Sequence, residues 1–179
     1  MIEPIGHTTL QIPTFRLDDL TLRAPAMSDL DAYAEFRASD RAKGVGGPNT
    51  RVQAEQKLEA LIGHWHLHGF GRWMVTETHS DTPLGVVGLM APCDWPEPEI
   101  AWSVFAGAEG KSVAYRAAIF ARRYAYEVLG WSTVISCTTP DNHRSQALAQ
   151  RMGATRDGEC HVDDVGRLLI WRHLSAEAV

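Results

Sequence analysis

A glycine-containing segment, Gly110-Lys111-Ser112-Val113-Ala114, stands between a run typical of a β-strand and the longest helical pattern of the chain. At such a junction the first backbone N–H groups of the helix have no partner within the helix, and they lie at the positive end of its dipole. Phosphate groups bind at helix N-termini for this reason. The segment therefore predicts a binding site for a pyrophosphate group.

Two other interpretations of this segment have to be weighed. Gly110-Lys111-Ser112 resembles the end of a P-loop, but that motif requires a glycine where this chain has Phe105, and Gly107 is two residues out of register. This mismatch argues against a nucleoside triphosphatase. The structural alternative stays open, in which Ser112 caps the helix and Gly110 only forms a turn.

Composition and charge exclude several classes of protein. The chain has 179 residues, 45% of them hydrophobic, which suits one domain with a substantial core. Its formal net charge is −5 without any basic run, which argues against nucleic-acid binding. It shows no signal-peptide pattern, no apolar run of the ~20 residues that a membrane helix needs, and no CxxC pair among its three cysteines. We therefore expect a cytoplasmic protein that binds neither nucleic acid nor membranes.

Hydrophobic periodicity and turn residues predict the elements that position the glycine segment. Strands are predicted over 17–23, 73–78, 84–90, 99–105, 133–138 and 168–173. Helices are predicted over 28–38, from a capping box at Thr50 and Gln53 to Gly69, over 113–129 with an alanine-rich stripe, and over 142–152. The order indicates an α+β or α/β fold around a mixed sheet. We predict a single domain over 1–179, with an extension at 1–16 and a core at 17–174.

Six segments follow one another along the chain: Asp19 to Arg23, His64-Trp65 followed by Gly69 to Trp73, Leu84 to Leu89, Glu99 to Trp102, Glu109 to Ala118, and Asp141 to Ser145 with Leu148 and Gly153-Ala154. Taken in this order, they resemble the GNAT superfamily of N-acetyltransferases, in particular the branch that contains the ribosomal-protein-alanine acetyltransferases. The resemblance covers about residues 10 to 173. Its specificity lies in the order and spacing of the segments, because no single motif is decisive.

This resemblance implies a mixed, mostly antiparallel sheet with helices on both faces and a central splay between two parallel strands. It also implies acetyl-CoA as the donor and a primary amine, on a small molecule or at a protein N-terminus, as the acceptor, with direct attack in a ternary complex. The family's pyrophosphate loop has Gln or Arg, two residues, Gly, one residue, then Gly or Ala. The corresponding residues here are Glu109, Ser112 and Ala114.

The same resemblance implies which groups act on the acyl group and on the amine. The family uses a backbone N–H of the fourth strand for the developing oxyanion, and the matching residues here are Trp102, Ser103 and Val104. Glu99, which opens this strand, is the candidate base, acting through water, and Glu97 is its rival. The alternative is that Glu99 is a solvated carboxylate at a strand end.

A proton donor for the leaving thiolate is the third group that the family's chemistry needs. Many members have a tyrosine seven residues after the signature asparagine, where this chain has Ala149. The ribosomal branch has a serine three residues after the asparagine, so the resemblance implies Ser145 as the acid and Asn142 as a contact for pantetheine or a bridging water. The alternative is that Ser145 only caps the helix.

Three questions stay open at this stage. Without the tyrosine and with an altered loop, the chain could also be a non-catalytic acyl-CoA-binding regulatory domain. His64, His66 and His68 do not share one helix face, so we predict no metal site. Trp95 is a candidate wall of the acceptor site. The sequence leaves the acceptor and the oligomeric state undecided, with a homodimer among the alternatives.

Overall fold

The chain folds around one eight-stranded sheet that is covered by helices on both faces. The computed structural model describes residues 9–163 and 165–178, so residues 1–8 of the predicted extension lie outside the described residues. The strands are β1 (Phe15–Leu17), β2 (Leu20–Arg23), β3 (Arg72–Glu77), β4 (Pro83–Met90), β5 (Glu99–Val104), β6 (Ile135–Thr138), β7 (Thr155–Val162) and β8 (Gly166–Arg172). The main helices are α1 (Leu30–Ala38), α2 (Arg51–His68), α3 (Val113–Glu127) and α4 (His143–Arg151).

The strand order places the one parallel pair in the middle of the sheet. The order is β1-β2-β3-β4-β5-β6-β8-β7, and every described pair except β5 and β6 is antiparallel. Strands β5 and β6 pair only at Glu99 and Ile135 and then diverge. The predicted mixed, mostly antiparallel sheet with a central splay is thereby confirmed.

Two hydrophobic layers hold the helices against the sheet. In α3, Ala117, Ala118, Ala121 and Ala125 are fully buried, and their small side chains let the helix lie close to β4 and β5. Helices α1 and α2 cover the opposite face, where Met74 belongs to their cluster. Among the described residues, no helix combines the length and apolar character needed to cross a bilayer.

The ends of α2 agree with the prediction made from its flanking residues. The Thr50 hydroxyl accepts the N–H of Gln53 at 3.3 Å, and the Gln53 side chain accepts the N–H of Thr50 at 2.9 Å, which is a complete capping box. Gly69 ends the helix with φ 75°, in the left-handed region that glycine tolerates. Thr50, Gln53 and Gly69 therefore set the two ends of this helix through local interactions.

The prediction of one strand over 17–23 is wrong, because this segment is a hairpin. Leu17 of β1 pairs with Leu20 of β2, and Asp18 turns the chain with φ 55°. Aspartate is one of the few residues that tolerates this conformation. The alternation of Leu20 and Leu22 is real, since both are buried, but it belongs to β2 only.

Strand β7 is absent from the prediction and completes the sheet at its edge. It pairs with β8 through a register shift between Arg156 and Glu159, next to Gly158 with φ 97°. Most of its residues are exposed, so no buried face imposes an alternating hydrophobic pattern on the sequence.

Side chains close the vertex of the splay, where the backbone ladder between β5 and β6 stops. A regular parallel ladder would join the N–H of Cys137 to the carbonyl of Ile100. Instead the Ser136 hydroxyl donates to the Ile100 carbonyl at 2.7 Å and accepts from Nε2 of His173 at 2.9 Å. Burial lowers the pKa of His173 to about 3, so the ring is neutral. The N–H of Cys137 donates to Oε1 of Glu99 at 3.0 Å.

We expect Ser136→Ala to destabilise the fold, because it leaves the buried Ile100 carbonyl and the His173 ring without their shared partner. Loss of such a partner costs about 1–3 kcal/mol. For a chain of this size each kcal/mol lowers the melting temperature by about 2–4 °C, which calorimetry resolves. Ser175→Ala, at an exposed serine, is the matched control and should melt like wild type. Equal melting temperatures for all three proteins would show that the hydroxyl does not hold the vertex.

Candidate active site

The splay opens into a cavity of about 750 Å³, which is lined by residues from the helices on both faces of the sheet. This volume lies within the range of small-molecule sites. It brings together all but one of the predicted site residues. Those that line it are Glu99, Trp102, Ser103, Val104, Gly110, Ser112, Val113, Ala114, Asn142 and Ser145. Lys111 is exposed and does not line the cavity.

The N-terminus of α3 forms one wall of this cavity. Val113, Ala114 and Tyr115 belong to the first turn, so their N–H groups have no intrahelical acceptor, and all three residues line the cavity. Ser112 occupies the N-cap position, yet its side chain accepts no N–H of the helix. The helix end is therefore available to an anion, as the sequence predicts, and capping by the Ser112 side chain is not its role.

Ser112 has an unusual backbone conformation at this helix start. Its φ is 56° and its ψ is 20°, which is left-handed and typical of glycine. The family pattern has glycine at this position, so the backbone geometry of the loop is kept although the residue differs. The serine adopts this geometry at a conformational cost of about 1–2 kcal/mol.

Glu109 stands at the mouth of the cavity and is neutralised by two arginines. Its carboxylate accepts hydrogen bonds from Arg41, in the 3₁₀ segment Asp40–Val45, and from Arg144 in α4. The hydrogen bond from Arg41, followed by that from Arg144, holds the pKa of Glu109 below its ordinary value. Two guanidinium groups thus flank the helix N-terminus, where they offset the charge of a carboxylate that would otherwise repel phosphate.

Strand β5 presents backbone donors to the splay. Phe105 donates its N–H to Leu84 of β4, and N–H directions alternate along a strand. It follows that Ser103 points its N–H toward β4, whereas Trp102 and Val104 point theirs toward the diverging β6. These two groups can donate to an oxygen that gains negative charge in the cavity.

Glu99 is buried, with 5% of its surface exposed, so it is not a solvated strand-end carboxylate. Its Oε1 accepts from the N–H of Cys137, and its other carboxylate oxygen accepts from the indole N–H of Trp95. Burial raises its pKa to about 7, although both hydrogen bonds and the charge of Arg72 act in the opposite direction. A carboxyl group with this pKa can accept a proton near neutral pH.

Glu97, the rival of Glu99, has a different environment. It forms an ion pair with Arg172 at 2.6 Å, and this hydrogen bond lowers the pKa of Glu97. It does not line the cavity. A carboxylate held in its ionised form by an arginine outside the cavity is a poor candidate for proton abstraction, so the geometry favours Glu99.

Asn142 and Ser145 lie on the side of the cavity that α4 forms. The Asn142 side chain caps this helix by accepting the N–H of Ser145 at 3.1 Å. The Ser145 hydroxyl accepts the indole N–H of Trp102 at 3.2 Å. The cap of the helix is thus Asn142, and the Ser145 hydroxyl bridges to β5 across the splay with its own proton free to be donated.

Several cavity residues are not identified by the sequence analysis. Arg41 lies in a segment without periodicity, so it carries no signal. Arg72 and Arg144 stand inside two of the segments that resemble the family, Gly69 to Trp73 and Asp141 to Ser145, and that position is the available hint.

His64 has a structural role in this fold. One ring nitrogen contacts the carbonyl of Phe70 at 2.8 Å, and the other accepts the N–H of Ala91 at 3.1 Å. Burial lowers the pKa of His64, in keeping with a neutral ring that needs one donor and one acceptor nitrogen. Both nitrogens are therefore engaged by the backbone.

Comparisons with known proteins agree with this geometry. A family model described as an acetyltransferase (GNAT) domain matches residues 19–155. The structure of an acetyltransferase from Agrobacterium tumefaciens str. C58 is 33% identical, with a TM-score of 0.83 over 96% of this chain and 99% of that one. A ribosomal-protein-S5-alanine acetyltransferase from Vibrio fischeri shares the fold at 16% identity, with a TM-score of 0.71 over 94% and 100% of the two chains.

A ribosomal L7/L12 alpha-N-protein acetyltransferase also shares the fold. It is 14% identical, with a TM-score of 0.72 over 95% of this chain and 98% of that one. At such identities the two ribosomal-protein enzymes are similar in architecture, and the resemblance to their branch goes no further than that.

The conformation of Ser112 leads to a prediction for coenzyme A binding. Ser112→Gly should keep or increase the affinity, because glycine adopts φ 56° without strain and removes a Cβ beside the phosphate site. Ser112→Leu should weaken binding about tenfold or more, comparable to the loss of one charge-assisted hydrogen bond. Calorimetric titration measures both, with Ser175→Leu as an exposed control. An unchanged affinity for Ser112→Leu would place the phosphates elsewhere.

Proposed function

This chain belongs to the GNAT acetyltransferase family, and on that premise we propose that it transfers an acetyl group from acetyl-CoA to a primary amine by direct attack in a ternary complex. The amine belongs to a small molecule or to a peptide N-terminus. The observation that carries the proposal is the juxtaposition of a buried carboxyl group of pKa about 7, Glu99, with the free N–H groups of β5. A base and an oxyanion donor are what acyl transfer to an amine requires.

The donor half of the cavity is suited to the phosphates and the pantetheine arm of coenzyme A. The N–H groups of Val113 and Ala114 would bind the pyrophosphate, supported by the positive charges of Arg41 and Arg144. Asn142, the N-cap of α4, also lines the cavity, where its amide can contact pantetheine. Acetyl-CoA supplies an acyl group activated as a thioester, and the residues of the chain position it.

Glu99 would take the proton that the amine loses, directly or through water. Its ionised form is the minor one below pH 7 and the major one above it, because burial raises its pKa to about 7. The N–H groups of Trp102 and Val104 would stabilise the charge that develops on the acyl oxygen. Since both groups are fixed in β5, they need no reorganisation during the reaction.

Ser145 would pass its hydroxyl proton to the leaving thiolate and regain a proton from solvent water in the same step. A thiol has a pKa of about 8.5, so assistance is helpful rather than obligatory. The indole of Trp102 donates to the Ser145 oxygen, and this orients the hydroxyl proton away from the tryptophan. With Ala149 buried where other members have a tyrosine, Ser145 is the residue of α4 that brings a hydroxyl group to the cavity lining.

Thiol release from acetyl-CoA with a panel of amines tests the function, and Glu99→Gln tests the base. We expect wild-type kcat to rise through pH about 7, as the carboxylate forms. Glu99→Gln should lower kcat by about 10²–10⁴-fold at pH 7. Its kcat should also no longer rise through pH about 7, because the group that titrates there is gone. Its deficit should shrink at high pH, where more of the amine is already neutral.

Glu97→Gln is the matched comparison, since it changes a neighbouring carboxylate that does not line the cavity. A loss in this variant instead of Glu99→Gln would move the base to Glu97. A deficit of Glu99→Gln that does not vary with pH would reduce Glu99 to a positioning residue. Acetyl-CoA binding without thiol release for any amine would support a regulatory acyl-CoA-binding domain.

Ser145→Ala separates proton donation from binding. We expect kcat to fall by about 10²-fold, the low end for general acid assistance, with little change in acetyl-CoA affinity. Ser145→Thr keeps a hydroxyl and should retain most of the activity. If affinity falls while kcat holds, Ser145 is a binding residue, and if neither changes, water protonates the thiolate.

A further inference from the structure

Arg72 lies in the half of the cavity that the donor site leaves free. It opens β3, where Trp73 belongs to the hydrophobic cluster under α3 and Met74 to the cluster under α1 and α2. Side chains alternate along a strand, so Arg72 is on the face of Met74, covered by α1 and α2. Glu99 is on the same face, because its neighbour Ile100 packs in the cluster under α3.

The backbone of Arg72 is held rigidly. Its carbonyl accepts the indole N–H of the buried Trp65 at 3.0 Å, and the preceding carbonyl, of Gly71, accepts the N–H of Leu89 at 3.0 Å. A Cβ on Gly88, opposite Arg72 in β4, would lie only 2.5 Å from the Gly71 oxygen, so β3 and β4 approach closely there. The guanidinium therefore projects into the cavity from a fixed point.

The other arginines that line the cavity all have partners. Arg37 donates to Asn49 and to loop carbonyls, Arg41 and Arg144 share Glu109, and Arg151 lies over the ring of Tyr115. Among the described residues, the Arg72 guanidinium has neither a hydrogen bond nor an ion pair. A partly buried cation with five unused donors favours binding of an anion. A carboxylate is complementary to it, because its two oxygens can accept two parallel N–H groups of the planar guanidinium.

Glu99 does not fill that role for Arg72. Its two oxygens are engaged by the N–H groups of Cys137 and Trp95, and Arg72 acts on it only through space, by lowering its pKa. By register, Arg72 lies two strands from β5 and two residues from the level of Glu99. At ordinary strand spacings their Cα atoms are roughly 12 Å apart on the same face of the sheet, and both residues line the cavity.

We infer that the acceptor carries a carboxylate close to its amine, and that Arg72 binds this carboxylate while the amine lies at Glu99. The inference rests on the proposed function and names the chemistry of its acceptor. Two sources supply the same pair of groups: the α-carboxylate of a free amino acid, and the side-chain carboxylate of an acidic first residue in a peptide. In either case, Arg72 sets specificity without taking part in the proton transfer.

Matched acceptors test the inference and separate the two sources. The first pair is an α-amino acid and its α-carboxamide, and the second pair is a C-terminally amidated peptide that begins with Asp or with Asn. Rates are compared per neutral amine, because the carboxamide lowers the amine pKa. We expect kcat/KM to favour the carboxylate in one of the two pairs by about 10–100-fold, the range of a charge-assisted hydrogen bond.

Variants at Arg72 show whether this residue recognises the carboxylate of the acceptor. Arg72→Gln should raise KM for the carboxylate substrate by about 10–100-fold relative to KM for the carboxamide, and it should preserve acetyl-CoA affinity. A fall in kcat that is the same for both substrates would report the higher pKa of Glu99 without the charge of Arg72. Arg72→Lys should keep part of the preference for the carboxylate, because lysine has the positive charge but lacks the planar guanidinium that donates two parallel hydrogen bonds. Arg16→Gln, at an exposed arginine that does not line the cavity, removes the same net charge and should leave the preference intact.

Binding provides a readout that does not depend on turnover. In the presence of coenzyme A, the carboxylate ligand should raise the melting temperature of wild type more than its carboxamide does, and Arg72→Gln should abolish the difference. If the protein acetylates these amines, but with the same kcat/KM for the carboxylate and the uncharged member of each pair, the inference is overturned and the proposed function stands. A preference that survives Arg72→Gln would also overturn it. Absence of thiol release with every amine would instead count against the proposed function, and equal binding of both ligands would then reject the role of Arg72.

Discussion

The separation of β5 and β6 after one paired position is the constraint on which the rest of this structure depends. Every backbone group that the two strands release needs another partner, because buried donors and acceptors are costly when unpaired. Ser136 satisfies the carbonyl of Ile100, and Glu99 satisfies the N–H of Cys137. The N–H groups of Trp102 and Val104 remain directed into the gap. The same divergence thus opens the cavity and supplies its donors.

Glu99 connects the stability of the splay with its chemistry. The carboxylate accepts the N–H group that the strand divergence releases, and this position buries it within the sheet. Burial opposes its ionisation and brings its pKa to about 7, while Arg72 and two hydrogen bonds prevent a larger rise. One side chain therefore accepts an otherwise unpaired backbone N–H and acquires the proton affinity of a base.

Beside the N-terminus of α3, the positive charges of Arg41 and Arg144 pair with the negative charge of Glu109.

Features with a short-range cause were predictable from the sequence. The capping box of Thr50 and Gln53 involves residues three apart, and the alanines of α3 repeat with the helical period, so each can be recognised without the fold. The glycine segment before α3 stands between a strand pattern and a helix pattern, and both patterns are local in sequence. The order of the family segments then predicted the splayed sheet and placed Glu99 and Ser145 in one site, and both residues line the cavity.

The remaining features depend on contacts between residues distant in sequence, and only the tertiary structure decided them. Strand β7 is an exposed edge, so its pairing with β8 leaves no hydrophobic pattern to detect. Arg41 and Arg144 meet Glu109 from separate elements, and the loop pattern alone gives no sign of this pairing. The pKa of Glu99 follows from its burial. Whether the Arg72 guanidinium has a hydrogen bond or an ion pair, which it lacks among the described residues, likewise depends on what the fold brings near it. Residue types and spacing determined which groups could react. The folded sheet determined which of them are buried, which are neutralised and which face the cavity, because desolvation and pairing are properties of the assembled surroundings.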